Sequence, residues 1–228
     1  MFFRRSLDDR RAAAARQAPA GPLRDYLQVP FEDARTDARE GRYLAIDLEL
    51  TGLDPRTHEI LSAGYIPIDG PDLVHAGAEH LFVVPDGEVG QSASIHGLTD
   101  DHLATGLPLA EAIPVVLDAL AGRTLVAHHA QIEVGFLSRA CERLYGRPLL
   151  VRAIDTLALQ RRVLRLGSDA EVREGVLRLQ ASRDHFGLPR YRAHEALTDA
   201  IAAGELFLAQ SAHLAGRSGI TLKALAGA

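Results

Sequence analysis

Cysteine and lysine each occur once among these 228 residues, and no long apolar run is present. The lone Cys141 cannot form an intrachain disulfide. That excludes a disulfide-framed secreted domain and makes a reducing, cytoplasmic setting the expectation. No stretch reaches the roughly 18 consecutive apolar residues of a membrane span, so no membrane partner is expected. G-x-S-x-G, a phosphate-cradling glycine loop, a dinucleotide fingerprint and the Cys/His spacing of a structural zinc site are all missing, which sets aside several enzyme classes. Excess positive charge is missing too: the formal net charge is −5, and Lys223 is the single lysine beside many arginines. Proteins that coat long nucleic acid by charge must neutralise many phosphates, so any polynucleotide contact here should be local. The Arg- and Ala-rich start, Met1 to Arg16, is interrupted by Asp8 and Asp9 and leads into no apolar segment, so it is not read as a transit peptide.

What is present is enough apolar content, 47%, to build one sizeable core, and therefore one main domain. Residues 1–41 carry mixed charges, a loop-like run from Ala18 to Pro22 and a few apolar residues (Leu23, Tyr26, Leu27, Val29, Phe31), which reads as an N-terminal helical arm. The main domain is placed at residues 42–215, with a short tail at 216–228. Tyr43–Leu50 is a short apolar run broken by two acids and closed by turn residues, and reads as a buried strand. Glu59–Ile68 and Ala78–Val84 follow as strands of a three-stranded antiparallel meander. Later strands at Thr124–Ala127 and Leu149–Ile154 alternate with helices at about 113–120, Ile132–Tyr145, 156–166, Val176–Phe186 and Ala196–His213. Meander first and alternation later predict an α/β layer, a mixed sheet flanked by helices.

Asp47 and Glu49 are the anomaly in the first strand. At i and i+2 they share a face, and a buried face tolerates two acids only if it is wet or holds a cation. A divalent metal answers the repulsion; an edge strand with one solvated face is the plainer alternative. His194 and Asp199 are the second pair. Two helical residues five apart diverge by about 140°, so both reach one site only if His194 lies just before the helix that carries Asp199. A solvated histidine near a helix start is the alternative there. His128 and His129, adjacent at a strand end, should face opposite sides, one buried and one near a cleft.

Three segments in order resemble the DnaQ-like DEDD exonucleases, histidine subclass. Asp47-Leu48-Glu49-Leu50-Thr51-Gly52 is similar to the family's first motif, with Leu50 where Thr is usual. Ile95-His96-Gly97-Leu98-Thr99 resembles its I-H-G-I-T segment, and His194-Glu195-Ala196-Leu197-Thr198-Asp199-Ala200 resembles H-x-A-x-x-D-A. The departure lies in His128-His129-Ala130-Gln131-Ile132-Glu133, where Glu133 stands in place of Asp and no Asp occurs between Thr124 and Gly146. Asp155-Thr156 resembles the D-T after the fifth strand and is assigned to helix capping.

The resemblance spans about residues 42–212 and implies an RNase H-like fold and 3′→5′ hydrolysis of phosphodiester bonds with two Mg²⁺ or Mn²⁺ ions. It implies that Asp47, Glu49, Asp199 and Glu133 hold metal, that His194 is the general base, and that Leu50, Thr51, Gly52, Leu53 and His96 meet the terminal nucleotide. Single-stranded DNA or RNA 3′ ends are the implied substrates and nucleoside monophosphates the products. A homodimer or a polymerase partner is left open. A non-catalytic nucleic-acid- or partner-binding module of the same fold, its metal site disabled by Glu133, is the competing reading.

Overall fold

A computed structural model describes residues 6–85, 106–167, 173, 175–192 and 195–227. Helices α1 (Leu7–Gln17) and α2 (Pro22–Gln28) precede strand β1 (Arg42–Leu50). Strands β2 (Ile60–Asp69), β3 (Asp72–Leu73), β4 (Glu79–Val84) and β5 (Leu107–Pro108) follow, then α3 (Leu109–Leu120) and β6 (Thr124–Ala127). Next come α4 (Gln131–Tyr145), β7 (Ala153–Asp155), α5 (Thr156–Val163), α6 (Leu179–His185), α7 (Ala196–Ala215) and α8 (Leu222–Ala226). Among the described residues the sheet runs β5-β4-β2-β1-β6-β7, with the short β3 paired to β2. The pairs β1/β2 and β2/β4 are antiparallel, while β1/β6 and β6/β7 are parallel. The meander and the later parallel strands thus form one mixed sheet, as the patterning predicts.

Alternation along β1 divides the core in two. Leu44, Ile46, Leu48 and Leu50 join one cluster with α3, α4 and the arm residues Leu23, Tyr26, Leu27 and Phe31. Tyr43 and Ala45 face the other way, into a second cluster with Leu159, Phe207, Leu222 and Leu225. The arm and α8 are therefore built into the two cores. None of the described helices is long and apolar enough to cross a membrane.

Pairing departs from the patterning at Leu149–Ile154. The apolar run begins at Leu149, yet β7 starts only at Ala153. The Tyr26 hydroxyl donates to the Leu150 carbonyl at 3.0 Å, and Arg152 reaches the Glu32 carbonyl at 2.8 Å. Backbone and side-chain polar groups that would otherwise face a strand partner or water are taken up by the arm. Helix α5 stops at Val163 rather than near Leu166, and α6 begins at Leu179 rather than Val176. The two-residue β5, half of it proline, is too short to leave a pattern.

Candidate active site

Asp47 and Glu49 continue the Tyr43–Ala45 face of β1 toward its C-terminal end. Because β1 lies between β2 and β6, the edge-strand alternative is ruled out, and Glu49 is buried. The cross-strand partners of the two acids on β2 are Gly64 and Ser62. Helix α7 lies across this face and supplies Asp199 from its first turn, as the helix start at Ala196 requires. Carboxylate oxygens of Asp47, Glu49 and Asp199 all lie within 4.8 Å of one another.

Gly64 sets how closely α7 can approach. A Cβ there would stand 2.1 Å from the Leu197 backbone nitrogen and 2.2 Å from the Ala196 carbonyl carbon. Backbone thus packs on backbone directly across from Asp47, which brings the first turn of α7 down to the strand. Small residues continue the seat: Ala196, Ala200 and Ala203 are buried on α7, and Gly204 rests against Ala45. Sequence reasoning missed Gly64. A glycine in mid-strand is a signal for close backbone approach, but a single sequence does not say what approaches.

Glu133 lies in the first turn of α4, where the positive end of the helix favours an acid. It is 4% exposed, and its Oε2 has no hydrogen-bond partner among the described residues. It falls outside the group of three acids above, yet its charge helps to raise the Asp47 carboxyl. Asp155 helps to place it. One oxygen of Asp155 caps α5 through the Leu157 N–H at 2.9 Å and also accepts the His129 N–H at 2.8 Å. The capping role assigned from sequence is present, and the second bond fixes the turn that leads into α4. In that turn His129 has φ 76°, in the left-handed region. His128 and His129 therefore lie beyond β6 rather than on it. His128 is half-buried between the Thr156 hydroxyl and the Leu177 carbonyl, each 2.9 Å away, and His129 is exposed.

The turn after β1 is closed by Thr51, whose N–H donates to the Glu59 carbonyl and whose Oγ1 accepts the Glu59 N–H. A side chain at Gly52 would strike the His58 ring at 2.3 Å, so the imidazole would have to move aside to admit one. Leu50 packs into the first core cluster, whereas Leu53 is 73% exposed beyond the turn. His96 and His194, with the whole Ile95–Thr99 segment, lie outside the described residues.

Burial and the neighbouring charges of Glu133, Asp199 and Glu49 push the Asp47 carboxyl well above its usual range. Burial likewise raises Glu133 to about 8, opposed by its own backbone N–H and reinforced by Asp155. Gathering carboxylates out of water costs free energy unless a cation offsets them. Three converging acids and an unpartnered buried carboxylate oxygen beside them fit a hard, oxygen-seeking cation such as Mg²⁺ or Mn²⁺.

Fold and cluster together define the class: a mixed α/β protein of RNase H-like architecture with an acidic centre on the α7 face of its first strand. The RNase T family model, described as an exonuclease, matches residues 44–207. "DNA polymerase III subunit epsilon" of Treponema pallidum is 30% identical over 179 residues, covering 78% of this chain and 80% of that protein. "DNA polymerase III PolC-type" of Thermotoga maritima is 31% identical over 74% of this chain, which spans only 12% of that much longer protein. Among solved structures, E. coli exonuclease I in complex with a dT13 oligonucleotide superposes with a TM-score of 0.60 at 16% identity, over 75% of this chain and 41% of that one. Cell-death related nuclease 4 gives 0.61 at 13% identity, over 78% and 64%. These two likenesses concern the fold. The chain belongs to the RNase T exonuclease family, of the DEDD type.

Proposed function

We propose that the chain is a 3′→5′ exonuclease of the histidine subclass, removing nucleoside 5′-monophosphates from single-stranded DNA or RNA ends with two Mg²⁺ or Mn²⁺ ions. The observation that carries this reading is the convergence of Asp47, Glu49 and Asp199, from two separate elements, within 4.8 Å. Asp47, Glu49, Asp199 and Glu133 would hold the metal. When bound, the ions would offset the acids' charge and stabilise the attacking and leaving oxygens at phosphorus. His194 accepts the proton of the attacking water, a role suited to an unperturbed pKa of about 6.5. Water oxygen bonds to phosphorus, the bond to the 3′-oxygen of the shortened strand breaks, and that oxygen takes a proton from solvent to leave as a hydroxyl. The Thr51–Gly52 bend, exposed Leu53 and His96 receive the terminal nucleotide, and the buried Leu50 supports the bend. Residues 42–215 form the catalytic unit in this reading, with 1–41 as its arm and 216–228 as its tail.

A binding module of the same fold is the second reading. It rests on Glu133, which replaces the usual Asp and falls outside the group of three acids. The deciding experiment incubates 5′-labelled single-stranded DNA and RNA with the purified protein in Mg²⁺, in Mn²⁺ and in EDTA. A metal-dependent ladder shortening from the 3′ end supports the exonuclease. A folded protein that shortens neither strand supports the binding module.

A further inference from the structure

Ser62 on β2 pairs in register with Glu49 on β1 and with Phe82 on β4, so the three residues form a row across the sheet, next to the row Asp47, Gly64 and His80. Directly paired residues share a face, so the alternation that aims Glu49 at α7 aims Ser62 there too. Ser62 is 0% exposed, and its Oγ has no hydrogen-bond partner among the described residues. Its neighbours on this face narrow what the hydroxyl can serve. Gly64, two residues on, has no side chain, and the Phe82 ring offers no acceptor oxygen. Of these sheet neighbours only Glu49 does, itself buried, and the Cβ atoms of directly opposed residues lie about 4.5–5.5 Å apart. A buried hydroxyl left unmet costs the folded chain free energy, which calls for a state in which it is met.

We propose that Ser62 is a positioning residue for the metal centre: with a divalent cation in the cluster, its hydroxyl donates to the Glu49 carboxylate and holds that acid in its ligating orientation. A carboxylate offers two oxygens and about four lone pairs, and a cation draws on only part of them. At a buried acid such as Glu49 the remainder must be met by the protein rather than by bulk water. Outer partners that fix a ligand in this way commonly set about 10- to 100-fold in metal affinity. Ser62 therefore acts when the cluster is loaded and adds nothing to the fold without the ion. The inference rests on the metal assignment made for the exonuclease reading, but its test does not depend on turnover.

Calorimetric Mn²⁺ titration of the full chain, paired with thermal melts in EDTA, separates this role from a packing one. Ser62→Ala should bind Mn²⁺ about tenfold more weakly than wild type. In EDTA it should melt at or above the wild-type temperature, because it deletes a hydroxyl that has no bond to lose. A hydroxyl that merely tied the sheet together would give the reverse, a lower melting temperature with Mn²⁺ affinity unchanged. Ser62→Cys keeps the volume with a weaker donor and should fall between wild type and Ser62→Ala in affinity. In a Glu49→Ala background, Ser62→Ala should change the residual affinity by less than about twofold, since contacts that act through one partner do not add. Mn²⁺ affinity within about twofold of wild type in Ser62→Ala, a lowered melting temperature in EDTA, or a full tenfold loss without Glu49 overturns the proposal. A wild-type chain that binds no Mn²⁺ overturns the metal assignment and this proposal with it, whereas one that binds Mn²⁺ but shortens no strand overturns the exonuclease reading alone.

Discussion

Gly64→Ala is the most informative single change, because it adds one methyl group to a residue that touches no substrate in our account. The added Cβ would sit 2.1 Å from the Leu197 nitrogen, where ordinary contact begins at 3.4 Å. Both partners are backbone in regular elements, so no side chain can swing aside. The first turn of α7 must retreat by about 1.3 Å, carrying Asp199 with it, and misplacement near 1 Å costs roughly 10²-fold in rate. Overpacking of this kind also costs about 1–3 kcal/mol, which for a chain of this size lowers Tm by about 2–12 °C. The assay pairs steady-state hydrolysis in Mn²⁺ with calorimetric Mn²⁺ titration and thermal melts. We expect kcat/KM to fall about 100-fold and Mn²⁺ affinity to weaken in a protein that still folds. Gly135→Ala serves as the contrast, since a Cβ there meets only Pro55 at 3.7 Å. In mid-helix that change should raise stability by up to about 1 kcal/mol. Gly64→Ala with rate and Mn²⁺ affinity within threefold of wild type would refute the argument that this contact sets the site.

Asp47→Ala removes the acid at the centre of the cluster and should abolish hydrolysis; a substantial residual rate in the oligonucleotide assay would contradict the metal assignment. His194→Ala should lower kcat by about 10²- to 10⁴-fold while calorimetric Mn²⁺ affinity stays near wild type, and a parallel loss of affinity would make His194 a metal ligand instead. Glu133→Gln tests the buried acid through pH. With Glu133 held at about 8 against an ordinary 4.5, the folded chain keeps a proton in that window that the unfolded chain has lost. Metal-free stability therefore falls as pH rises from about 4.5 to about 8. In EDTA, Glu133→Gln should melt close to wild type near pH 5 and progressively above it toward pH 8. A pH-independent difference in Tm would show that Glu133 is not held protonated.

Much of the frame is legible in the sequence because it follows from local rules. Alternation in Tyr43–Leu50 reports a strand with two acids on one face whatever surrounds it, and the spacing of Ile113, Val116, Leu117 and Leu120 reports a helix. The family likeness adds which acids are expected together, and the match at residues 44–207 shows the family itself. What composition and spacing leave open is anything set by distant groups. The same patterning that reveals the run from Leu149 cannot register that Tyr26 takes the Leu150 carbonyl and leaves β7 three residues long. His128 and His129 look like alternating strand residues until Asp155 draws the chain into a left-handed turn.

The sequence by itself determined the element types, the mixed sheet and the identity of the acids, since backbone periodicity and side-chain chemistry are written residue by residue. Only the tertiary structure decided that Asp199 meets Asp47 and Glu49, because that meeting depends on a backbone contact at Gly64, a residue whose contribution is the absence of a side chain. Likewise, only the fold decided that Glu133 is buried with no partner for Oε2 among the described residues. Burial and convergence are properties of surfaces brought together, and no single segment carries them.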